Sequence, residues 1–332
     1  MEQEYKFMVA MRCFTYNQAA YIKDALQGFA MQKTSFPTVS IIVDDASNDG
    51  EQDVLRQWAG KNLENSSQWI DLSYGYLCEA VLKSNPLSMF VILLLKENHY
   101  KPEKKSKKIE YIAKWQSISK YLALCEGDDY WNNPLKIQKQ VEFMEANPSI
   151  GMCYAKCRYY YQNELKFAKK TWGGKAELFE DLIKENTIPT PSVMYRGELR
   201  KQYDDEINPF SRGWMLGDYP FWLWLSKEYC IKFLDEETCV YRILEHSASQ
   251  RDNKERRQAF ISSVTDIQNF FAERYNQSFL VPKDRKEQAL LMDSFSNKDF
   301  SSVIKYYNLI SKPGVKSTIK YFFALLHVKL GK

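Results

Sequence analysis

Two clusters of acidic residues, each placed after an apolar run, are the part of the sequence most suited to chemistry. In the first cluster, residues 41–50 read IIVDDASNDG, so that Asp44 and Asp45 stand between an apolar stretch and a polar turn. A carboxylate at this point can accept hydrogen bonds from a nucleobase or a ribose, and it can equally cap the helix that follows. The segment by itself favours neither interpretation.

The second acidic cluster is more crowded. Residues 123–131 read ALCEGDDYW, which places Glu126, Asp128 and Asp129 around Gly127, a residue that permits a tight turn. Carboxylates this close repel one another, and a cation or the donors of a ligand usually hold such a cluster together. Oxygen ligands suit Mg²⁺ or Mn²⁺ bridged to a diphosphate, so a metal site is favoured over a turn with solvated acids.

A third acid, Asp218, lies in the aromatic segment WMLGDYPFWLW at residues 214–224. Apolar surroundings raise the proton affinity of a carboxylate, which suits a general base. The alternative is a helix N-cap, because Pro220 fits the first turn of a helix, and the segment alone favours that alternative. Trp214 offers a ring that can stack on the sugar of an acceptor.

One of the three histidines, His246, lies in the polar segment YRILEHSASQR at residues 241–251. A histidine in such a loop can complete the shell of a metal ion or contact a phosphate. A single loop histidine is more often simply exposed to solvent. His246 is therefore a candidate metal ligand with a plain alternative.

Apolar runs alternate with segments of helical periodicity through the first half of the chain. The runs at 7–13, 39–43, 88–95 and 121–125 predict strands, and the segments at 17–31, 52–58, 109–120 and 136–146 predict helices. This alternation predicts an α/β fold with a mostly parallel sheet flanked by helices. Ligands bind at the carboxyl ends of the strands in such sheets, and both acidic clusters follow strands there.

The remainder of the chain is less regular. The stretch Lys61–Pro86 has no clear pattern and reads as an insertion. Short strands are predicted at 150–155, 192–195, 231–234 and 238–242, and a helix begins at 219. Helical periodicity dominates after residue 251. We therefore predict one domain over residues 1–250 and a helical C-terminal region over residues 251–332.

Charge, cysteine content and hydropathy narrow the classes of protein to which this chain can belong. The net charge of +4 at pH 7 argues against a general nucleic-acid binder. The seven cysteines form no CxxC pair, which is typical of buried, reduced thiols. The acidic start MEQEYK does not resemble a signal peptide, and no apolar run approaches the roughly 20 residues of a spanning helix. We expect a soluble, cytoplasmic protein.

The last residues carry a separate signal. Residues 312–332 read KPGVKSTIKYFFALLHVKLGK, and from Ser301 onward the chain has lysines but no acidic residue. Helical spacing places six apolar residues on one face, namely Val315, Ile319, Phe322, Phe323, Leu326 and Leu330, and Lys316, Lys320 and His327 lie beside it. Two interpretations stay open: peripheral contact with an anionic membrane surface, or a helix packed on the protein with solvated lysines.

Five segments, taken in their order, resemble family 2 glycosyltransferases of the GT-A fold. CFTYNQAAYIKDAL is similar to the first strand and Tyr-Asn turn of that family, and IIVDDASNDG to its Asp-Asp-x-Ser-x-Asp motif. EGDDYWNNPLKIQKQVEFMEANP resembles the stretch around its metal-binding acids, and GDYPFWLWL the segment with its catalytic base. YRILEHSASQ resembles a late Tyr-Arg stretch. The resemblance covers residues 7–251.

The resemblance implies a role for each matching residue. The nucleotide and donor sugar would be bound by Thr15, Tyr16, Asn17, Asp44, Asp45, Glu126, Asp128 and Asp129. Within that set, Asp45 would lie near the base, Asp128 would bind the metal and Glu126 would contact the ribose. Asp218 matches the catalytic base, whereas His246 stands slightly later than the usual histidine of the family.

The resemblance also implies the reaction. The chain would be a bacterial, inverting enzyme that moves a sugar from a nucleotide donor, with a UDP-sugar as default, to a hydroxyl of a glycan or lipid-linked acceptor. Surface-polysaccharide biosynthesis is the implied setting, and Mn²⁺ or Mg²⁺ the implied cofactor. The alternative is a catalytically inactive GT-A scaffold that binds nucleotide sugars. The basic residue that holds the diphosphate is not identified among four candidates, Lys105, Lys107, Lys108 and Lys114.

Overall fold

The computed structural model describes residues 4–65, 68–100, 105–244 and 253–329, and these form two compact units. One unit comprises the described residues up to Leu182 together with Thr187–Gly213 and Trp224–Leu244. The other comprises Ile183–Asn186, Trp214–Leu223 and the described residues from 253 onward. The fold class is the predicted one, a large sheet flanked by helices with further helices at the C-terminal end.

The first unit is built on one sheet. Its strands are β1 (Phe7–Thr15), β2 (Thr38–Asp44), β3 (Ile70–Leu72), β4 (Gly75–Leu82), β5 (Asn85–Leu95), β6 (Ser119–Leu124), β7 (Tyr130–Trp131), β8 (Ile150–Tyr161), β9 (Lys166–Trp172), β10 (Met194–Arg196) and β11 (Cys230–Ile243). Their order is β3-β4-β5-β2-β1-β6-β10-β8-β11-β7, with β9 paired to β8.

The centre of this sheet is parallel and buried. β5, β2, β1 and β6 run in parallel, and Thr15 at the end of β1 pairs with Asp44 at the end of β2. Every residue of β2 is buried, as expected of a strand covered on both faces. The parallel register therefore brings the loops that follow β1, β2 and β6 to one edge.

The flanks of the sheet correct two details of the sequence interpretation. The stretch Lys61–Pro86 contains β3 and β4, which extend the sheet, because β4 pairs antiparallel with β5 and β3 pairs antiparallel with β4. The two strands predicted at 231–234 and 238–242 are one strand, β11, whose register with β8 is irregular between Leu234 and Cys239. A bulge shifts the side-chain alternation, and the sequence pattern therefore read as two elements.

Among the described residues, seven α-helices belong wholly or partly to the first unit. They are α1 (Ile22–Ala30), α2 (Glu51–Asn62), α3 (Lys105–Ser117), α4 (Lys136–Ala146), α5 (Phe179–Leu182), α6 (Glu198–Ile207) and α7 (Tyr219–Glu228). The predicted start of the first helix at residue 17 is wrong, because Asn17 has φ 54° and lies in a turn. The predicted end of the third helix at residue 120 is also wrong, since β6 begins at Ser119.

The second unit is largely helical. It contains α8 (Lys254–Arg274), α9 (Arg285–Ser296), α10 (Phe300–Tyr307) and α11 (Val315–Lys329). A small apolar core joins α9, α10 and α11 through Leu291, Val303 and Ala324. In the part of the chain that the structure describes, none of the helices combines the length and the apolar character needed to cross a membrane.

Candidate active site

The loops after β1 and β2 are joined by a buried carboxylate, Glu51, at the start of α2. One carboxylate oxygen accepts a hydrogen bond from the Thr15 hydroxyl, and the other accepts from the Gln18 amide at 2.8 Å and the Ser47 hydroxyl at 3.0 Å. Burial is the main cause that raises the pKa of Glu51. Sequence reasoning missed Glu51; its only signal was an acid in the first turn after an Asp-Gly pair.

Further hydrogen bonds connect the same two loops. The Asn17 amide donates to Ser47 Oγ at 2.8 Å, and Asn17 Oδ1 accepts from the Asn48 amide at 2.9 Å. The side chains of Thr15 and Asn17 are thus engaged within the protein. Tyr16 between them is 46% exposed, and its ring is available to stack on a flat ligand.

Asp44, predicted to contact the donor, is fully buried. Its Oδ1 accepts hydrogen bonds from the Ser47 amide at 3.1 Å and from Gln52 Nε2 at 2.6 Å. Its buried Oδ2 has no hydrogen-bond partner among the described residues, and burial raises the pKa of Asp44. These contacts favour a role in holding the turn, and a contact between Asp44 and the donor stays a prediction.

Asp45 is also buried, and a cation neutralises it. Asp45 Oδ2 lies 2.6 Å from Lys108 Nζ, and Oδ1 accepts a hydrogen bond from the His99 amide at 2.7 Å. Lys108 was one of the four candidates for binding the diphosphate. Of the others, Lys114 pairs with Glu79 at 3.2 Å, and Lys107 is exposed. The side chain of Lys105 lies outside the described residues.

The acidic loop that follows β6 lies against the loop that follows β1. The Gly127 amide donates to the Phe14 carbonyl at 3.2 Å, and the Asp129 amide closes a turn on the Glu126 carbonyl at 3.1 Å. Gln18 also lies close enough to Asp128 to oppose the rise that burial causes in the pKa of that carboxyl. The parallel sheet therefore brings the two predicted acidic segments and the Tyr-Asn turn together at one edge.

The three acids of this loop share one electrostatic environment. Burial is the largest influence on Glu126 and raises its pKa to about 7, while Arg12 opposes the rise and Asp128 adds to it. Burial also raises the pKa of Asp128, and that of Asp129 far more. Carboxylates that protonate this readily are stabilised as anions by any cation that binds beside them.

Asp129 is held by Arg242, a buried residue near the end of β11. Asp129 Oδ1 accepts a hydrogen bond from the Arg242 amide at 2.9 Å, and Arg242 Nε donates to the Asp128 carbonyl at 2.9 Å. The other guanidinium nitrogens reach Gln162 Oε1 at 2.5 Å and Asp24 Oδ2 at 2.6 Å. Sequence reasoning gave Arg242 no role, although a charge inside the apolar run CVYRI was a visible signal.

Arg12, in the middle of β1, is a second cation that sequence reasoning missed. Its guanidinium lies 4.7 Å from the centre of the Phe14 ring, and Lys108 Nζ lies 5.2 Å from the same ring. Arg12 is buried, and its Nε has no hydrogen-bond partner among the described residues. Arg12 and Lys108 together place positive charge beside Glu126. The signal in the sequence was one arginine within the apolar strand MVAMRCF.

Replacing Gly127 with Ala tests how tightly the acidic loop of residues 126–129 packs against the loop that follows β1. A Cβ at this position would lie 2.3 Å from Thr15 Oγ1 and 2.4 Å from Gln18 Oε1, and Thr15 is fixed by Glu51. We expect a loss of about 2 kcal/mol in the free energy of unfolding, measured by urea denaturation. Gly60→Ala in α2 is the control, because a Cβ there meets nothing within 4 Å; it should gain about 0.5–1 kcal/mol. Equal stability of the two variants would contradict the packing argument.

The carboxylates of this loop suit a divalent cation only if a bound nucleotide supplies the remaining oxygens of its coordination shell. In the described residues, no group of three or more His, Cys, Asp or Glu side chains is arranged to hold a metal ion. Asp129 is turned to the Arg242 amide, which leaves the half-buried Glu126 and Asp128. Mg²⁺ and Mn²⁺ are commonly bound by one or two carboxylates plus the phosphates of a substrate, and this loop fits that arrangement.

Asp218 and Trp214 belong to the second unit. The Asp218 carbonyl accepts a hydrogen bond from the Trp222 amide at 3.0 Å, and its Oδ1 accepts from the Tyr219 amide at 2.7 Å. Asp218 thus stands at the N-terminus of α7, and a role as base stays a prediction. The ring of Trp214 packs on Phe270 with centroids 5.4 Å apart. The predicted metal ligand His246 lies outside the described residues.

Sequence comparison finds relatives without an assigned activity. No protein-family model matches the chain. An uncharacterised protein of Mycobacterium bovis and uncharacterised proteins of two Mycobacterium tuberculosis strains are each 33% identical to it over 195 residues. The match covers 58% of this chain and 47% of each relative. The chain therefore spans about half the length of the curated relatives that it matches.

Comparison with solved structures identifies the fold. The mannosyltransferase PcManGT from Pyrobaculum calidifontis, solved in complex with GDP-Man and Mn²⁺, superposes with a TM-score of 0.52 at 13% identity, covering 98% of this chain and 81% of that one. S. aureus TarS, residues 1–349 in complex with UDP, gives a TM-score of 0.47 at 15% identity, covering 98% and 92%. The chain has the α/β fold of the mannosyltransferase, as the GT-A resemblance implied.

Proposed function

We propose that this chain is an inverting family 2 glycosyltransferase that uses a UDP-sugar and a divalent metal ion. The acceptor would be a hydroxyl of a glycan or of a lipid-linked glycan in polysaccharide biosynthesis. One observation carries the proposal. The acidic loop of residues 126–129 lies against the loop that carries the exposed Tyr16, at the carboxyl edge of parallel strands.

The donor would bind across these two loops. The exposed ring of Tyr16 suits stacking on the base, and the ribose would be within the reach of Glu126. Lys108 and Arg12 provide the positive charge that a diphosphate needs, although Lys108 is shared with Asp45. The shared fold of a mannosyltransferase solved with GDP-Man and Mn²⁺ supports a nucleotide-sugar donor and makes guanosine the second choice of base.

The metal ion would be held by Asp128 together with oxygens of the diphosphate, and His246 is a further predicted ligand. A bound divalent cation supplies positive charge that stabilises the leaving diphosphate. Glu126, with a pKa raised to about 7 by burial, would accept a hydrogen bond from the ribose best above neutral pH, where its carboxylate is ionised. The chain's own residues would perform the remaining steps.

The transfer is a single displacement. The acceptor hydroxyl oxygen forms a bond to the anomeric carbon while the bond from that carbon to the diphosphate oxygen breaks, and Asp218 takes the hydroxyl proton. Attack from the side opposite the leaving group inverts the configuration. Arg12 and Lys108 would stabilise the charge that grows on the diphosphate. The family resemblance assigns the role of base to Asp218, whose ionised carboxylate can accept the proton that the hydroxyl oxygen loses as it attacks.

Calorimetric titration of UDP, with and without Mn²⁺, tests the donor site. We expect binding by the wild type that strengthens at least about tenfold with Mn²⁺, and no strengthening in Asp128→Asn, because the amide oxygen is a weaker ligand than a carboxylate. Asp205→Asn is the control, since Asp205 is an exposed partner of Lys201 on α6.

The outcomes separate three possibilities. Metal-dependent binding that fails only in Asp128→Asn supports the donor site and justifies a screen of UDP-sugars. If GDP binds and UDP does not, the nucleobase of the donor would be guanine instead of uracil, and the proposed sugar transfer would stand. If neither nucleotide binds, the proposed function is wrong.

A further inference from the structure

An apolar stripe runs along the exposed side of α11. Val315, Ile319, Phe322 and Leu326 are each more than half exposed, with Phe322 the least at 58%. Their spacing of four, three and four residues places them on one face of the helix. An exposed stripe of four large apolar side chains on a single helix is unusual for a surface that contacts only water.

The opposite side of α11 already packs within the second unit. Ser317 and Ala324 are buried, and Ala324 belongs to the core formed with α9 and α10. The Tyr321 ring stacks on Tyr307 of α10, with centroids 4.1 Å apart. The helix is therefore held in place through this side, and the apolar stripe is not required for the core of its unit.

Lysines border the stripe. Lys312, Lys316 and Lys329 are exposed, and the sequence contains no acidic residue from Ser301 onward. On the helix, Lys316 lies to one side of the stripe and Lys329 to the other. Cations on both borders of an apolar face match a surface that is apolar inside and negatively charged outside.

We propose that the exposed side of α11 binds an anionic lipid surface, with the apolar stripe inserted among the acyl chains and the lysines at the phosphate headgroups. A second copy of the chain fits this face less well, because pairing two stripes would bring their lysine borders together. The inference rests on α11 alone, and it holds whether or not the proposed sugar transfer is confirmed.

Sedimentation with lipid vesicles tests the proposal. The full chain is mixed with vesicles of equal parts phosphatidylglycerol and phosphatidylcholine, or of phosphatidylcholine alone, and the bound fraction is measured. We expect binding to the anionic vesicles only, weakened by salt. Leu326→Ser should bind about tenfold more weakly, and Ile319→Ser/Phe322→Ser about a hundredfold, since each removes apolar area from the lipid.

Leu178→Ser is the matched control, because Leu178 and Leu326 are both 61% exposed but only Leu326 is on α11. This variant should bind vesicles as the wild type does. Lys316→Gln/Lys329→Gln should weaken binding and reduce its dependence on salt. Equal binding by all variants, no binding to anionic vesicles, or a concentration-dependent dimer that Ile319→Ser/Phe322→Ser abolishes in the absence of lipid would each overturn the proposal.

Discussion

Replacing Asp218 with Asn should lower kcat about a thousandfold, because the amide cannot take the proton of the acceptor hydroxyl. The substitution suits the structure, since Asp218 stands at the N-terminus of α7 and Asn caps helices as well as Asp does. The free energy of unfolding should therefore change little. The measurement is the release of UDP from the UDP-sugar that screening identifies, with transfer to an acceptor or to water.

UDP titration of the same Asp218→Asn variant provides the control. Binding of UDP and its dependence on Mn²⁺ should be unchanged, because Asp218 takes no part in the proposed donor site. Asp218→Ala should lose the same activity and in addition about 1 kcal/mol of stability, because the hydrogen bond from the Tyr219 amide to Asp218 Oδ1 is lost. A kcat close to that of the wild type in Asp218→Asn, with Asp218→Ala merely less stable, would show that Asp218 only caps the helix.

Replacing Arg242 with Met should destabilise the protein by about 3 kcal/mol. The methylene groups are retained, but the Asp128 carbonyl, Gln162 and Asp24 lose their donors. The loss of a buried cation also increases the repulsion around Asp128, whose pKa Arg242 helps to lower. The quantity to measure is the free energy of unfolding in urea, together with the affinity for UDP and Mn²⁺.

Arg158→Met is the matched control for this prediction. Arg158 lies on β8, pairs with Glu237 at 2.6 Å and has a side chain that is 44% exposed. An exposed ion pair contributes little, so the loss of stability should stay below about 1 kcal/mol. Similar losses in the two variants would mean that the network of Arg242 does not organise the acidic loop.

The central strands and the positions of the acidic clusters were predictable because their signals are local. Four apolar runs predicted β1, β2, β5 and β6, and all four are parallel neighbours in the sheet. A strand buried on both faces needs apolar residues throughout, and this composition is visible without any partner. The rule that ligands bind at the carboxyl ends of such strands then placed both acidic clusters at one edge.

The boundaries that failed are those where distant residues decide the backbone. The first helix begins at Ile22 because the turn before it is held by Glu51 and Ser47, more than 25 residues later in the sequence. β11 remains one strand through its bulge because β8 pairs with it on both sides of the irregularity. Neither partner can be read from the segment itself.

The sequence by itself determined which acids stand at the ends of the parallel strands, and which residue types are available for binding a nucleotide sugar. Only the tertiary structure decided which of those groups are paired within the protein and which remain exposed. It committed Asp44 to a turn, Asp45 to Lys108 and Asp129 to the Arg242 amide, and it left Tyr16 exposed. The structure also added Glu51, Arg12 and Arg242 to the residues of the candidate site. The physical reason is that the burial and pairing of a charge depend on neighbours in space, which local residue patterns do not encode.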